Sequence, residues 1–194
     1  MSENENERTQ VPADEAGKDT EETASRFDEE TFLNGLADGL RSYGFEPTVD
    51  HMEGFPVSLH TAFGDEGGEN VIALTCVFAP LEILTGGDVQ TLQIHFALID
   101  PIQTENLAEV DHFCRHCNWK TATGAFLIQT NLNVVSYRGG LLLRGETDLL
   151  DAEQQALDHF ALMLHYIEFY YDSLKAVCEG KSTLAAEIEK GKIK

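Results

Sequence analysis

One stretch decides the fold of this chain: Thr104–Arg144, which reads TENLAEVDHFCRHCNWKTATGAFLIQTNLNVVSYRGGLLLR. Its first part places apolar residues at helical spacing between Leu107 and Cys117. A sharp corner at Asn118-Trp119 follows, and two strand patterns then run to the end of the stretch. The stretch therefore predicts a helix, a corner and two strands that belong to a larger sheet.

The residues before this stretch predict one more helix and three more strands. A helical stripe runs from Phe32 to Tyr43, and Asp28 can cap it. Alternating apolar residues then predict three strands, near Val57, over Val71–Ala79 and from Leu92 to Leu98. Because the links between these strands are short and polar, we expect an antiparallel meander.

The residues after the stretch predict the longest helix. It begins at Asp148 or Asp151, runs to about Glu179 and ends at Gly180. Its segment Phe160–Tyr171 is apolar on more than one side, which predicts cover on more than one side. The element order is α-β-β-β-α-β-β-α, and we predict an α+β fold with a five-stranded antiparallel sheet packed by helices.

Charge and composition limit the classes of function. The formal net charge is -21, with 34 acidic residues against 13 Lys and Arg. Residues 1–26 carry -5 of it and the remainder -16, so the body of the protein is itself acidic. Such a surface repels phosphate backbones and anionic lipids, and we expect neither nucleic acid nor a membrane as partner.

The same composition predicts the division of the chain. Residues 1–26 are polar and acidic, which predicts a disordered tail. Residues 27–180 form one predicted α+β domain, and residues 181–194 a short, frayed C-terminal tail. No apolar run approaches the roughly 20 residues of a membrane span, and Met1–Asp14 lack the features of a secretory signal. We expect a cytoplasmic protein.

The cysteines raise the question of a metal site. Four cysteines are too few for a secreted disulfide scaffold of this length. His112, Cys114, His116 and Cys117 have the ligand types that zinc prefers. The cysteine pair lies on the apolar face of a helix, near the C-terminal pole that does not lower a thiol pKa. We predict core packing without a metal, and a metal- or redox-responsive sensor using these four residues as the alternative.

Other polar residues do not assemble into a known catalytic pattern. The nucleophile elbow, the P-loop and the dinucleotide fingerprint are absent from the sequence. His95 alternates with Leu92, Ile94 and Phe96, which predicts a solvated histidine, with a pocket residue as the second interpretation. We therefore predict a protein that is not an enzyme and needs no cofactor.

The second face of the predicted sheet is the strongest candidate for a partner site. It presents Val71, Ala73 and Val77 from one strand and Ala97 from the next. An apolar patch of this kind often marks a partner site. The alternative is that the first or second helix covers it, and the sequence leaves both interpretations open.

Several short patterns together suggest a family. They are the helix Leu33–Gly44, the run from Asn118-Trp119 to Gly124-Ala125-Phe126, the strand Val135-Ser136-Tyr137-Arg138, and the closing helix with Met163 and Tyr170-Tyr171. Over about residues 28–180 the chain resembles the YbjN family of bacterial sensory transduction regulator domains, which has a type III secretion chaperone-like fold. The Cys-x-x-Cys pair and the acidic tail depart from that family.

The resemblance implies a non-enzymatic, cytoplasmic protein that binds another protein and forms a homodimer through its central helix. The apolar stripe of this helix would then pack either on the sheet or on the dimer mate, since it cannot be buried completely against both. The stripe consists of Leu107, Val110, Cys114 and Cys117. We predict a chaperone-like or regulatory module that binds a protein client. The predicted partner-binding residues are Leu107, Val110, Cys114, Cys117, Val71, Ala73 and Val77.

Overall fold

The computed structural model describes residues 28–64, 71–79, 89–99, 101–144 and 147–193. Its strands are β1 (Thr48–Asp50), β2 (Ser58–Gly64), β3 (Val71–Ala79), β4 (Val89–Ile99), β5 (Ala125–Gln129) and β6 (Val134–Arg144). Its helices are α1 (Glu29–Ser42), α2 (Leu107–Asn118, preceded by a 3-10 turn), α3 (Leu149–Cys178) and α4 (Leu184–Glu189). All six strands form one antiparallel sheet in the order β1-β2-β3-β4-β6-β5.

The α+β class and the antiparallel sheet are confirmed, but the predicted number of five strands is wrong. The sixth strand is β1, which pairs with β2 through Val49 and Leu59. It has only three residues, and of these only Val49 is partly buried. A strand this short carries no alternation that the sequence could show.

Local signals set the ends of the long helices. Asp28 accepts a hydrogen bond from the backbone N–H of Thr31 at 2.9 Å and caps α1. Asp148 accepts one from the N–H of Leu150 at 3.0 Å and caps α3. Gly180 has φ +68° just beyond α3, a conformation that costs glycine little and other residues more.

Helices α1, α2 and α3 pack on one side of the sheet, which we call the inner face. Alternate strand residues point into this layer, where Phe32 of α1 meets Phe78 of β3 and Phe160 of α3 lies against Phe96 of β4. Burial of these apolar side chains is the main source of stability. The core therefore lies between the sheet and the helices.

Gly139 lets α3 approach β6. A Cβ atom at this position would lie 2.8 Å from the sulfur of Met163. Gly139 and Gly140 both keep their pairing with β4, so neither marks a bulge. The register shifts instead between Ala97 and Ile99. The glycine serves close helix packing rather than a change of strand direction.

The C-terminal segment is not a frayed tail. It forms α4, which buries Leu184 and Glu187, and Ile193 beyond it is also buried. The backbone N–H of Leu184 donates to Glu109 of α2 at 2.8 Å. The segment therefore packs against the domain, while the predicted acidic tail, residues 1–26, lies outside the described residues.

Helix α3 packs against α1 and α2 as well as against strands β4 and β6, so it is covered on more than one side, as expected. Its outer side is not covered by the described residues, since Leu162 and Phe169 there are 40% and 51% exposed. No helix within the described ranges has both the length and the apolar character needed to cross a membrane.

Candidate functional site

The side of the sheet opposite the helices, which we call the open face, is the candidate site. Val71 of β3, Leu127 of β5 and Leu142 of β6 point from it and are 54%, 42% and 58% exposed. Helices α1 to α3 all pack on the inner face, and within the described ranges no helix packs on the open one. The interpretation that a helix covers this face is therefore not supported by the described residues.

The predicted residues of β3 lie on the open face. Val71 and Ala73 are exposed and Val77 is half-buried. Ala97 lies directly opposite Ala73 on β4. Part of the surface predicted from the sequence is thus solvent-accessible.

A line of polar side chains crosses the open face at right angles to the strands. The register places four residues side by side, and we call them the polar row: His60, Thr75, His95 and Arg138. Neighbouring strands lie about 4.8 Å apart, so the row spans about 14 Å across four strands. It concentrates hydrogen-bond donors in the middle of the face.

Small residues follow the polar row on one side. Ala62, Ala73, Ala97 and Ser136 are paired across the same four strands. The Ser136 side chain is fully buried, and its Oγ has no hydrogen-bond partner among the described residues. A buried hydroxyl without a partner costs roughly 1–3 kcal/mol, which a bound group that reaches it would relieve.

His60 is held at one end of the polar row. Its Nε2 lies 2.8 Å from Ser58 Oγ, and its Nδ1 lies 3.1 Å from Thr75 Oγ1. A serine–histidine contact is the first requirement of nucleophile activation. The partner on the second nitrogen is a neutral threonine, however, which does not stabilise an imidazolium as a carboxylate would. The arrangement fixes the imidazole ring as a hydrogen-bonding group.

His95 and Arg138 complete the row. His95 Nε2 lies 3.3 Å from Gln129 Nε2, and the Arg138 guanidinium donates to the side-chain oxygen of Gln93. Burial, and then the positive charge of Arg138, lower the pKa of His95. His95 is half-buried and lines a cleft, which agrees with the second interpretation, a pocket residue, better than with a solvated histidine. The permanent charge of the row is that of Arg138.

The strands of the open face carry no acidic side chain from β2 to β6, although the chain has 34 acids. Arg138 and Arg144 both point from this face, two and eight residues beyond Ser136 on the same side of β6. The acid among the described strands is Asp50 of β1, which lies opposite Ser58 and therefore points from the outer edge of the open face. From β2 to β6 the open face is basic, on an acidic protein.

A cleft of about 640 Å³ opens at one end of the open face. Val71, Ala73, His95 and Gln129 line it from the sheet, and Lys175 and Glu179 line it at the end of α3. The cleft continues the row of small residues toward the edge of the molecule. It adds depth to a face that is otherwise shallow.

The structure separates the two halves of the predicted partner surface. Val110, Cys114 and Cys117 are 0%, 3% and 0% exposed, because α2 turns this stripe into the core beneath the sheet. Leu107 is half-buried and lines a groove of about 330 Å³ between α2 and β5. Of the predicted α2 residues, only Leu107 retains substantial exposure, and it lies on the helix side of the sheet.

Asn118 closes part of the edge beside that groove. Its side-chain amide donates to the carbonyl of Phe126 at 2.9 Å, and its Oδ1 accepts from the N–H of the same residue at 2.6 Å. These are the backbone groups that an added strand would need at this position. The corner at Asn118-Trp119 therefore protects the edge of β5 from pairing with another chain.

The cysteines of α2 are placed for packing. Burial raises the pKa of Cys114, and it raises the pKa of Cys117 to about 12. His112 is exposed, on a different side of the helix from the buried thiols. Within the described ranges no group of three or more His, Cys, Asp or Glu is arranged to hold a metal ion. The geometry does not bring the four residues of the alternative site together.

Most of the polar row could not be predicted from the sequence. His60 and Thr75 belong to strands whose register the sequence does not reveal, and Arg138 entered only through a family resemblance. The signal that was available is the alternation in β6, where Ser136, Arg138 and Leu142 share a face opposite Tyr137.

Comparison with known proteins adds little to this geometry. No protein-family model matches the chain, and no curated protein matches its sequence. One similar solved structure is the crystal structure of the ExsC-ExsE complex, at 15% identity over 76% of this chain and 97% of that chain, with a TM-score of 0.43. A likeness of this size carries no argument, and we infer function from the chain's own residues.

Proposed function

We propose that this protein is a non-enzymatic protein-binding module, chaperone-like or regulatory, and that its open face binds the client. One observation carries the proposal. Five consecutive positions in the sheet order, β2-β3-β4-β6-β5, present a continuous surface on which the described residues place no helix.

The side chains of the open face suit a protein partner. Val71, Leu127 and Leu142 offer apolar area, and removing it from water contributes about 25 cal/mol per Å². The polar row lies between them and supplies fixed hydrogen-bonding groups. A mixture of apolar area and a few oriented polar groups is typical of protein interfaces.

We also propose that the protein belongs to the YbjN family and that it forms a homodimer. Helix α2, through which the resemblance implies dimerisation, buries Val110 and Cys117 within one chain. A dimer would therefore form without opening that stripe. Native mass spectrometry of the full chain tests this part, with a mass of twice 21.5 kDa as the expected result.

A matched pair of substitutions tests the client surface. Ala73 on the open face and Ala161 on the outer side of α3 are both exposed alanines. Ala73→Arg and Ala161→Arg each add the same bulk and charge, and neither removes a buried contact. We expect the tagged wild type and Ala161→Arg to recover the same stoichiometric partner from native cell extract, and Ala73→Arg to lose it.

Two outcomes contradict the proposal. Either the partner is retained by Ala73→Arg and lost by Ala161→Arg, or none of the three proteins recovers a stoichiometric partner. Thermal unfolding of both variants serves as the control. It checks that they remain folded, so that a loss of binding cannot be attributed to a loss of structure.

A further inference from the structure

We infer that the open face binds an acidic segment of its partner, with carboxylates set against the polar row and apolar residues against its small and aliphatic neighbours. This inference rests on the proposed function and adds the chemistry of the client. Three observations carry it: the charge of the face, the order of its side chains, and a buried hydroxyl within it.

The charge of the face differs in sign from that of the protein. The chain has a formal net charge of -21, yet its described strands β2 to β6 contain no aspartate or glutamate. Arg138 and Arg144 are exposed there, and His60 and His95 lie in the polar row. The acid among the described strands, Asp50, lies on the edge strand β1, and three strands separate it from β6 and its two arginines. A basic face is complementary to an acidic partner.

The order of the side chains adds a geometric argument. The polar row runs across the strands, and the small residues Ala62, Ala73 and Ala97 run beside it. A chain lying over the small residues would have the donors of the row along one flank. Arginine binds carboxylates through two parallel N–H groups, so Arg138 is suited to an aspartate or glutamate.

Ser136 adds a buried hydroxyl to this face. Its hydroxyl lies in the row of small residues, between Ala97 and Leu127, and has no partner within the described part of the chain. The side chain is fully buried, so water does not satisfy it at the surface. A carboxylate that reaches this hydroxyl can accept its proton in a hydrogen bond.

Other occupants fit less well. A second copy packing its open face on this one would bring the same arginines together, and like charges at an interface are unfavourable. Nucleic acid is repelled by the acidic body. An acidic peptide meets the same long-range repulsion, but at 0.15 M salt charges more than about 8 Å away are largely screened, so the nearby arginines decide the contact.

Two synthetic peptides provide the test. The acidic probe is a labelled 12-residue peptide that alternates leucine or valine with glutamate and serine, and the control probe has lysine in place of each glutamate. Binding is measured at pH 7 and 0.15 M salt by fluorescence anisotropy on the full chain. We expect the acidic probe to bind at least about tenfold more tightly than the lysine probe, a difference of about 1.4 kcal/mol.

Charge reversal locates the binding. The variant Arg138→Glu with Arg144→Glu should reverse the preference, so that the lysine probe binds more tightly. The matched control is Arg115→Glu with Lys120→Glu, which changes the net charge equally at exposed positions on the helix side. The control should keep the preference of the wild type for the acidic probe.

The results distinguish this inference from the proposed function. A wild type that prefers the lysine probe, or a preference that the control variant also reverses, overturns the acidic partner and leaves a client-binding face in place. Tighter binding of a 12-residue oligothymidylate, lost in the open-face variant, would also overturn it. If Ala73→Arg also retains the partner while Ala161→Arg loses it, the proposal that the open face binds the client is itself contradicted.

Discussion

Leu142 and Leu143 are neighbours on β6 and illustrate the two faces of the sheet. Leu143 points inward and is 1% exposed, whereas Leu142 points outward and is 58% exposed. The same residue type is thus part of the core on one face and exposed to solvent on the other. The helices bury the side chains of the inner face, whereas those of the open face stay accessible to a partner.

The distribution of charge follows the same division. On the inner side a charge is buried and fully bonded, as at Glu187, which contacts Ser173, Ser182 and Lys190. On the open face the charged side chain of Arg138 is exposed. Charges of the first kind stabilise the fold, and we propose that those of the second kind serve binding.

The largest expected effect comes from the leucine pair. Leu143→Ala should lower the free energy of unfolding by about 2–5 kcal/mol, because it leaves a cavity beneath the helices. Leu142→Ala should change it by less than about 0.5 kcal/mol. Urea unfolding of both variants measures the difference. Equal effects would mean that the open face is covered, which would remove the distinction between the faces.

The α2 cysteines come next. Replacing Cys114 and Cys117 with alanine should lower the free energy of unfolding by about 1–3 kcal/mol in total, because both thiols fill the core. Native mass spectrometry of wild type purified without chelators should show the apo mass. A stoichiometric zinc adduct that this double variant loses would make the helix side a metal site and contradict its description as core.

Glu187 should make the free energy of unfolding depend on pH in the acidic range. Hydrogen bonds from Lys190 and Ser182 are the main causes that lower its pKa to about 2. Because the folded pKa is lower than the unfolded one, the stabilisation is complete above about pH 4.5 and is lost as the pH falls toward 2. Lys190 and Lys192 are half-exposed, so after solvent screening we expect about 1–2 kcal/mol.

The variant Glu187→Gln isolates this contribution. The difference in unfolding free energy between wild type and variant should be largest near pH 7 and should shrink between pH 4.5 and 2. Chemical unfolding at several pH values measures it. A difference that stays constant down to pH 2 would show that the carboxylate is not held in its charged form.

The smallest expected effect belongs to the open face. Arg138→Glu should change the free energy of unfolding by less than about 0.5 kcal/mol, since an exposed contact with Gln93 contributes little. Its effect should appear in binding instead. A loss of stability similar to that of the Leu143 variant would show that Arg138 serves the fold, and would contradict its role in the polar row.

The parts of the fold with strong local signals could be predicted. The alternation in Val71–Ala79 and the caps at Asp28 and Asp148 identify their elements correctly, because each depends on residues close in sequence. β1 and α4 were missed, since both are short and are held by distant contacts. The polar row depends on the register of four strands, which no single segment of sequence encodes.

Crosslinking from defined positions in the sheet and in α3 shows which face of the protein contacts the partner. A photoreactive phenylalanine analogue at Thr75, in the polar row, is compared in the native cell with one at Gln155, an exposed position on α3. We expect a discrete partner adduct from position 75 and none from position 155. The same adduct from position 155 with none from position 75 would place the partner on the helix side and contradict the account.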